Sequence, residues 1–250
     1  MWHRIFCASV AVILLGAACS CGDDDGGGAA DAGLADAPAP PDADPFDECP
    51  GELELEAEMQ DLLTDMNLFE VRVEDANEPS NFTTSAPNGR AVLCLPLTGV
   101  HQIRATRADL LPHLQTVDSQ ATLLHRPLAV AYKMLSEADA DTFVAGLGGP
   151  ARDPTATQLF VAVRSEPGGT PLTGAQVSLV DEGDGAYVRD ESDDFVPGNT
   201  LGTDATVLFA NVPVDSDPII TLTLPGGQTC NGPTTISAEA GLSSVFFSCQ

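Results

Sequence analysis

The groups in this sequence best equipped for chemistry are its thiols and its clustered carboxylates. Beyond residue 48 the chain carries four cysteines, Cys49, Cys94, Cys230 and Cys249. An even set without close Cys or Cys/His spacing lacks the pattern of a zinc site and reads as disulfides in an oxidising compartment. Of the possible connectivities, Cys49–Cys94 with Cys230–Cys249 keeps each bridge inside one half of the chain. Loops of that size stabilise a fold by about 3–4 kcal/mol each in the chain-entropy model.

The carboxylates gather in residues 181–197, which contain Asp181, Glu182, Asp184, Asp190, Glu191, Asp193 and Asp194. Hard oxygen ligands on a loop suit Ca²⁺, with Asp181, Asp184, Asp190 and Asp193 as the candidate ligands. The spacing lacks the glycine and terminal glutamate of an EF-hand, so a solvated charge run is the reading adopted and no metal is expected. His101, His113 and His125 form no HExxH or other helical pair and read as surface residues without a role. No G-x-S-x-G elbow presents a serine, and the disulfides leave no thiol free in the folded part. The expectation is therefore a protein with no catalytic residue and no cofactor.

Cys19 has a different setting. His3 and Arg4 supply positive charge at the start, and residues 5–18 follow without any, a run too short to cross a bilayer as a stable helix. Gly16-Ala17-Ala18 then leads into Cys19, placing small side chains before a thiol able to accept diacylglycerol. The segment resembles the lipobox of bacterial lipoproteins, with Leu15 one place early; Cys21, behind Ala18-Cys19-Ser20, is the alternative acceptor. That resemblance implies a signal peptide at 1–18, lipid on Cys19 and a membrane as the first partner. Each buried acyl methylene contributes about 0.8 kcal/mol, so several chains on one cysteine hold permanently. Residues 19–48 are rich in Gly, Ala, Asp and Pro and read as a disordered acidic tether. Ser20 stands where many lipoproteins kept at the inner membrane have Asp, which points to the outer membrane.

The formal charge is −27, from 37 acidic and 10 basic residues. No basic stripe exists to displace counterions, which excludes nucleic acid as a partner and argues against direct adhesion to anionic lipid. The partner expected is an envelope protein or a glycan of unknown identity.

These groups need elements to position them. Phe69-Glu70-Val71-Arg72-Val73, His101 to Thr106, Ala175 to Val180 and Ile219 to Leu224 read as short alternating strands, and Ala86 to Pro96 and Gly202 to Pro213 each read as a turn, a strand and a closing proline. Glu52 to Asp65 is expected to open with a strand and end in a turn. Ser136 as N-cap before Ala140, Phe143, Val144 and Leu147 marks a helix ended by Gly148-Gly149-Pro150. The pattern predicts a mainly β protein, two antiparallel β-sandwich modules at 49–133 and 157–250, joined by a helical connector at 134–156.

In the second module, Gly169-Thr170-Pro171-Leu172-Thr173-Gly174-Ala175-Gln176-Val177, Thr203-Asp204 and Phe209-Ala210-Asn211-Val212-Pro213 resemble the carboxypeptidase regulatory-like domain, a transthyretin-like sandwich. The first module looks like a diverged copy. The resemblance implies an accessory rather than a catalytic role. Transthyretin-like folds include a hydroxyisourate hydrolase, but its Tyr-Arg-Gly-Ser-like tail has no counterpart in Val245-Phe246-Phe247-Ser248-Cys249-Gln250. The function expected is a non-catalytic, lipid-anchored envelope module for binding or structural association. The alternatives are a Ca²⁺-dependent carbohydrate or adhesion module centred on 181–197, and a degenerate hydrolase with a site between the modules.

Overall fold

Leu53, Leu55, Ala57 and Met59 are buried while Glu54, Glu56 and Glu58 face outward, and this period of two makes residues 53–61 a strand, β1 (Leu53–Asp61). The computed structural model describes residues 48–49, 52–118, 128–165, 169–180, 183–190, 194–215, 217–233 and 236–249. The signal segment, Cys19, Cys21 and the tether to residue 47 lie outside the described residues, as do His125, Asp181, Glu182, Glu191 and Asp193. Residues 42–250 form one unit.

In the first half β1 is followed by β2 (Arg72–Asp75), β3 (Glu78–Thr84), β4 (Arg90–Leu95), β5 (Val100–Thr106), β6 (His113–Asp118) and β7 (Leu128–Met134). The strand expected from Phe69 begins three residues later, because Glu70 takes a left-handed φ of 58° that an extended run cannot contain. Among the described residues one α-helix is present, α1 (Glu137–Gly146), and it starts where the capping pattern places it. The Ser136 hydroxyl accepts from the Asp139 backbone N–H at 3.2 Å.

The second half supplies β8 (Thr157–Ser165), β9 (Thr170–Pro171), β10 (Gln176–Val180), β11 (Ala186–Arg189), β12 (Phe195–Pro197), β13 (Thr206–Val212), β14 (Ile219–Thr223), β15 (Cys230–Asn231) and β16 (Gly241–Cys249). Residues 181–197, expected as one acidic loop, contain the β11 and β12 strands. Tyr187 and Val188 pair with Leu208 and Val207 of β13, and burial of Tyr187 draws this stretch onto the sheet.

The molecule is mainly β, with two sandwich cores built against one long sheet. That sheet runs β12-β11-β13-β8-β16-β6-β5-β2-β3, so strands from both halves lie in it side by side. A three-stranded layer, β4-β1-β7, covers its first-half part, and β10-β14 covers the second. Register shows that the covers lie on opposite faces. His113 and Gln115 of β6 share a face with Leu242 and Ser244 of β16, through the pairs Leu242↔His113 and Ser244↔Gln115. That face carries Ile103 and Ala105 into the first core with Leu53, Leu55, Leu93 and Tyr132. The other face of β16 carries Val245 and Phe247 into the second core with Leu159, Val161, Val177 and Phe209. Helix α1 packs Val144 and Leu147 on Tyr187, Leu208 and Ala210, covering the second-half face that β10-β14 leaves open.

Most ladders are antiparallel, as short alternating strands with tight turns imply. Three are parallel: β1 with β7, and β16 with both β6 and β8. A parallel neighbour requires a long crossover, which adjacent-strand patterns cannot reveal. Gly241 sets the entry to β16. Its φ is 124°, and a Cβ there would lie 2.7 Å from the Pro112 carbonyl oxygen, while Leu242 N–H donates to that same oxygen at 2.9 Å.

Both expected disulfides are present, Cys49–Cys94 and Cys230–Cys249. The first staples the segment before β1 to β4; the second ties β15 to the end of β16 in register.

Gly241→Ala is expected to lower stability by about 1–3 kcal/mol, the cost of forcing a side chain into a strained, occupied backbone position; chemical denaturation checks it. Replacing Cys49 and Cys94 together by Ser should cost about 4 kcal/mol, and the Cys230, Cys249 pair about 3 kcal/mol, from the loop lengths alone. The order of the two denaturation midpoints is the decisive reading.

Candidate functional site

Two of the histidines expected at the surface are buried. His113 opens β6, and its alternation with Gln115 and Val117 turns it inward at the join between the halves. Its Nδ1 lies 2.8 Å from the Lys133 backbone oxygen and its Nε2 lies 2.8 Å from Ser244 Oγ. A carbonyl only accepts, so Nδ1 carries the proton, Nε2 is bare and the Ser244 hydroxyl donates to it. Tyr132 meets the imidazole edge-on at a centroid distance of 5.3 Å. One ring thus bonds to β7 and β16 while belonging to β6.

Nucleophilic catalysis uses the same Ser-to-His hydrogen bond. Three features assign this one to structure. Burial pushes the His113 pKa down to about 4, so the ring is a poor base near neutral pH. The group behind it is a carbonyl, which cannot balance an imidazolium as a carboxylate does. Ser244 sits in mid-strand, paired with Gln115 on one side and Phe160 on the other, where backbone N–H groups serve the ladders rather than an oxyanion. Burial also raises the Tyr132 phenol well above its usual range, and its hydroxyl has no hydrogen-bond partner among the described residues. Neither Tyr132 nor Ser244 stands in any motif; only the β16 register brings Ser244 to His113.

His101 of β5 lies 3.1 Å through Nδ1 from Asp75 Oδ2, and its Nε2 is 3.2 Å from the Pro96 carbonyl. Asp75 also accepts from the Asn77 backbone N–H, which closes the β2–β3 turn. No hydroxyl or thiol completes this pair among the described residues.

A third polar centre forms around Asn211, in the resemblance motif Phe209-Ala210-Asn211-Val212-Pro213. Its φ of 52° marks a bulge in β13, and its amide reaches four groups. Oδ1 accepts from Asp153 N–H and Gln158 Nε2, while Nδ2 donates to the Ala151 carbonyl and, at 2.6 Å, to Asp184 Oδ2. Asp184 thereby adds a polar anchor at the start of the described part of the 181–197 segment. Asp190 accepts from the Asp194 backbone N–H at 3.1 Å. No group of three or more His, Cys, Asp or Glu side chains with metal-site geometry occurs among the described residues. Two of the four carboxylates considered for calcium, Asp184 and Asp190, are thus engaged in protein hydrogen bonds, and Asp181 and Asp193 are outside the description.

Among the described residues every cation but Arg164, which donates to the Gly169 carbonyl, is equally committed. Arg72 pairs with Glu74, Arg90 with Glu56, Arg104 with Glu239, Arg107 with Asp109, Lys133 with Asp65 and Arg189 with Asp204. Arg152, almost fully buried, clasps Asp141 and Glu137 and fixes the chain after α1 back onto the helix. With their charge answered internally, these side chains offer little to phosphate. Asn81-Phe82-Thr83 has the Asn-x-Thr form of a glycan acceptor, and its Asn81 Nδ2 donates to the Cys94 carbonyl at 2.8 Å.

No family model matches this chain, and no curated protein matches it. Among solved structures, the Bacillus anthracis TIE protein aligns over 80% of this chain and 34% of its own, with 13% identity and a TM-score of 0.27. The chain therefore spans about a third of that protein's length. The minor pilin GBS52 of Streptococcus agalactiae aligns over 79% of this chain and 95% of its own, with 9% identity and a TM-score of 0.28. The shaft pilin SpaA of Lactobacillus rhamnosus GG covers 80% and 98%, with 12% identity and a TM-score of 0.22. Superpositions at this level do not establish a shared arrangement, and function must be sought in the chain's own residues.

His113 gives the join a pH dependence of definite sign. Its pKa is about 4 in the fold against about 6.5 when unfolded, so the unfolded chain gains the proton first as pH falls. Stability is full above pH 6.5 or so and declines by about 3 kcal/mol down to pH 4, where the loss levels off. His113→Gln should flatten this component, measured by urea unfolding across that interval.

Proposed function

We propose that this chain is an exported lipoprotein, acylated at Cys19, that displays a non-catalytic acidic β-sandwich body as a binding or structural module of the cell envelope. The proposed division is a signal peptide at 1–18, a tether at 19–48, a first module at 49–133, a connector at 134–156 and a second module at 157–250. The observation that carries the reading is the cysteine economy. Cys49, Cys94, Cys230 and Cys249 satisfy one another in two bridges, and Cys19 stands apart behind an apolar run and Gly16-Ala17-Ala18. Disulfides of this kind belong to proteins that leave the reducing cytosol.

The body supports a role without chemistry. Its Ser–His contact is buried and weakly basic, most of its described cations are internally paired, and its carboxylate-rich segment is fastened through Asp184 to Asn211. The acidic tether would hold such a body off the membrane by charge repulsion along the leash. An accessory role of the carboxypeptidase regulatory-like kind fits these features, with a protein or glycan of the envelope as partner and the outer membrane as location.

Metabolic labelling with palmitate, followed by mass spectrometry of the mature amino terminus, tests the proposal. Label on Cys19, lost in Cys19→Ser with release of the protein into the soluble fraction, is the expected result; retention of label in Cys21→Ser identifies the acceptor. An unmodified amino terminus would overturn the anchoring, and labelling of Ser244 by a fluorophosphonate would overturn the non-catalytic reading.

A further inference from the structure

We propose that the open edge of β14 is a self-association surface, joining two copies of this chain through antiparallel β14–β14 pairing. Among the described residues the cover layer over the second core has two strands, and β14 pairs with β10 alone. On its far side β10 is occupied, since Val177 N–H donates to the Asn199 carbonyl at 3.0 Å and Gln176 bridges Thr200. Val177 therefore points its backbone groups away from β14, and its partner in register, Leu222, points its own away from β10. The same alternation turns the backbone groups of Ile220 outward. Neither residue's N–H or carbonyl finds a partner on that edge among the described residues.

Edge strands that stay single are usually blunted by charge, proline or a bulge. This one has none of the three. Ile219-Ile220-Thr221-Leu222-Thr223 has high β propensity, and residues 218–238 form the longest stretch without a charged side chain beyond the tether, in a chain of net charge −27. Leu222 and Leu224 lie only partly covered against the core, and Val180 and Ile219, directly paired, are about half exposed.

The strand is complementary to itself. A two-fold axis through Thr221 sets Ile220 opposite the partner's Leu222 and Leu222 opposite the partner's Ile220, which joins all the outward groups in reciprocal hydrogen bonds. Thr221 then faces its own copy as a non-hydrogen-bonded pair, and Ile219 faces Thr223. Asp215 and Asp217, the nearest acids, fall opposite the uncharged Gly227 and Pro225 rather than each other, so the pairing brings no like charges into contact. A second copy is thus the occupant favoured by shape, hydrogen bonding and charge, and the product is a four-stranded layer β10-β14-β14-β10 with isologous symmetry.

Light scattering on the full chain carrying Cys7→Ser, Cys19→Ser and Cys21→Ser, which removes every thiol outside the two disulfides, tests this. A mass of twice the chain is expected, returning to one chain in Thr221→Lys, which places two ammonium groups on the axis from an exposed position; a cooperative thermal transition that no longer depends on protein concentration shows that the variant folds as a monomer. In Thr221→Cys the paired Cα atoms would stand about 4.5 Å apart, within disulfide range, so mild oxidation should trap a covalent dimer. Thr223→Cys should not be trapped, its copies being roughly 13 Å apart along the strands. A monomeric mass at the highest soluble concentration, or a dimer that survives Thr221→Lys with no trapping through Thr221→Cys, overturns the proposal.

Discussion

Strand β16 lends one edge to β8 and the other to β6, running parallel to both, and the architecture depends on that double pairing. Without it the first-half sheet β6-β5-β2-β3 and the second-half sheet β12-β11-β13-β8 would each end in an open edge facing the other. With it, backbone hydrogen bonding is continuous across both halves. The strand is also buried on both faces, as a parallel central strand must be. Its apolar side chains Val245 and Phe247 serve one core, while Ser244 reaches His113 beside the other.

That geometry explains why polar residues collect at the join. Ser243 bonds to Thr157 at 2.9 Å, Ser244 to His113, and Asn211 ties β13 to the chain behind α1. Two covers on opposite faces meet at this line, and neither extends across it. Apolar packing is therefore shared out between the cores, and directional bonds hold the interval. A buried hydrogen bond contributes only about 1 kcal/mol net, yet leaving one of its groups unpaired costs more. The join thus specifies register more than it adds stability.

What the sequence disclosed follows from range. Elements whose evidence lies within a few residues were readable: β1 from its Leu/Glu alternation, α1 from Ser136 and its apolar spacing, β10 and β13 from short alternating runs between turn residues. The disulfide partners were readable because each bridge is local to one half. The long-range features were not. Nothing near Gly241 announces that its strand lies parallel to one beginning at His113, and a lone histidine after Pro112 looks like a loop residue until that pairing encloses it. Residues 181–197 misled through composition, because their acids outnumber the few apolar residues, Tyr187 and Phe195 among them, that fasten β11 and β12 to the sheet. The candidate site was illegible for the same reason: Ser244 of β16 and, from β7, Tyr132 and the Lys133 carbonyl converge on His113 of β6 from three distant segments.

The position of β16 also has a temporal consequence. Neither half can complete its hydrogen-bonded sheet until residues 241–249 have arrived, so an emerging polypeptide must wait with two unfinished surfaces. Contacts this distant in sequence are slow to form because a large loop must close first. Delay of that kind is compatible with the export proposed above, since a chain that cannot fold early remains slender enough to be threaded across a membrane.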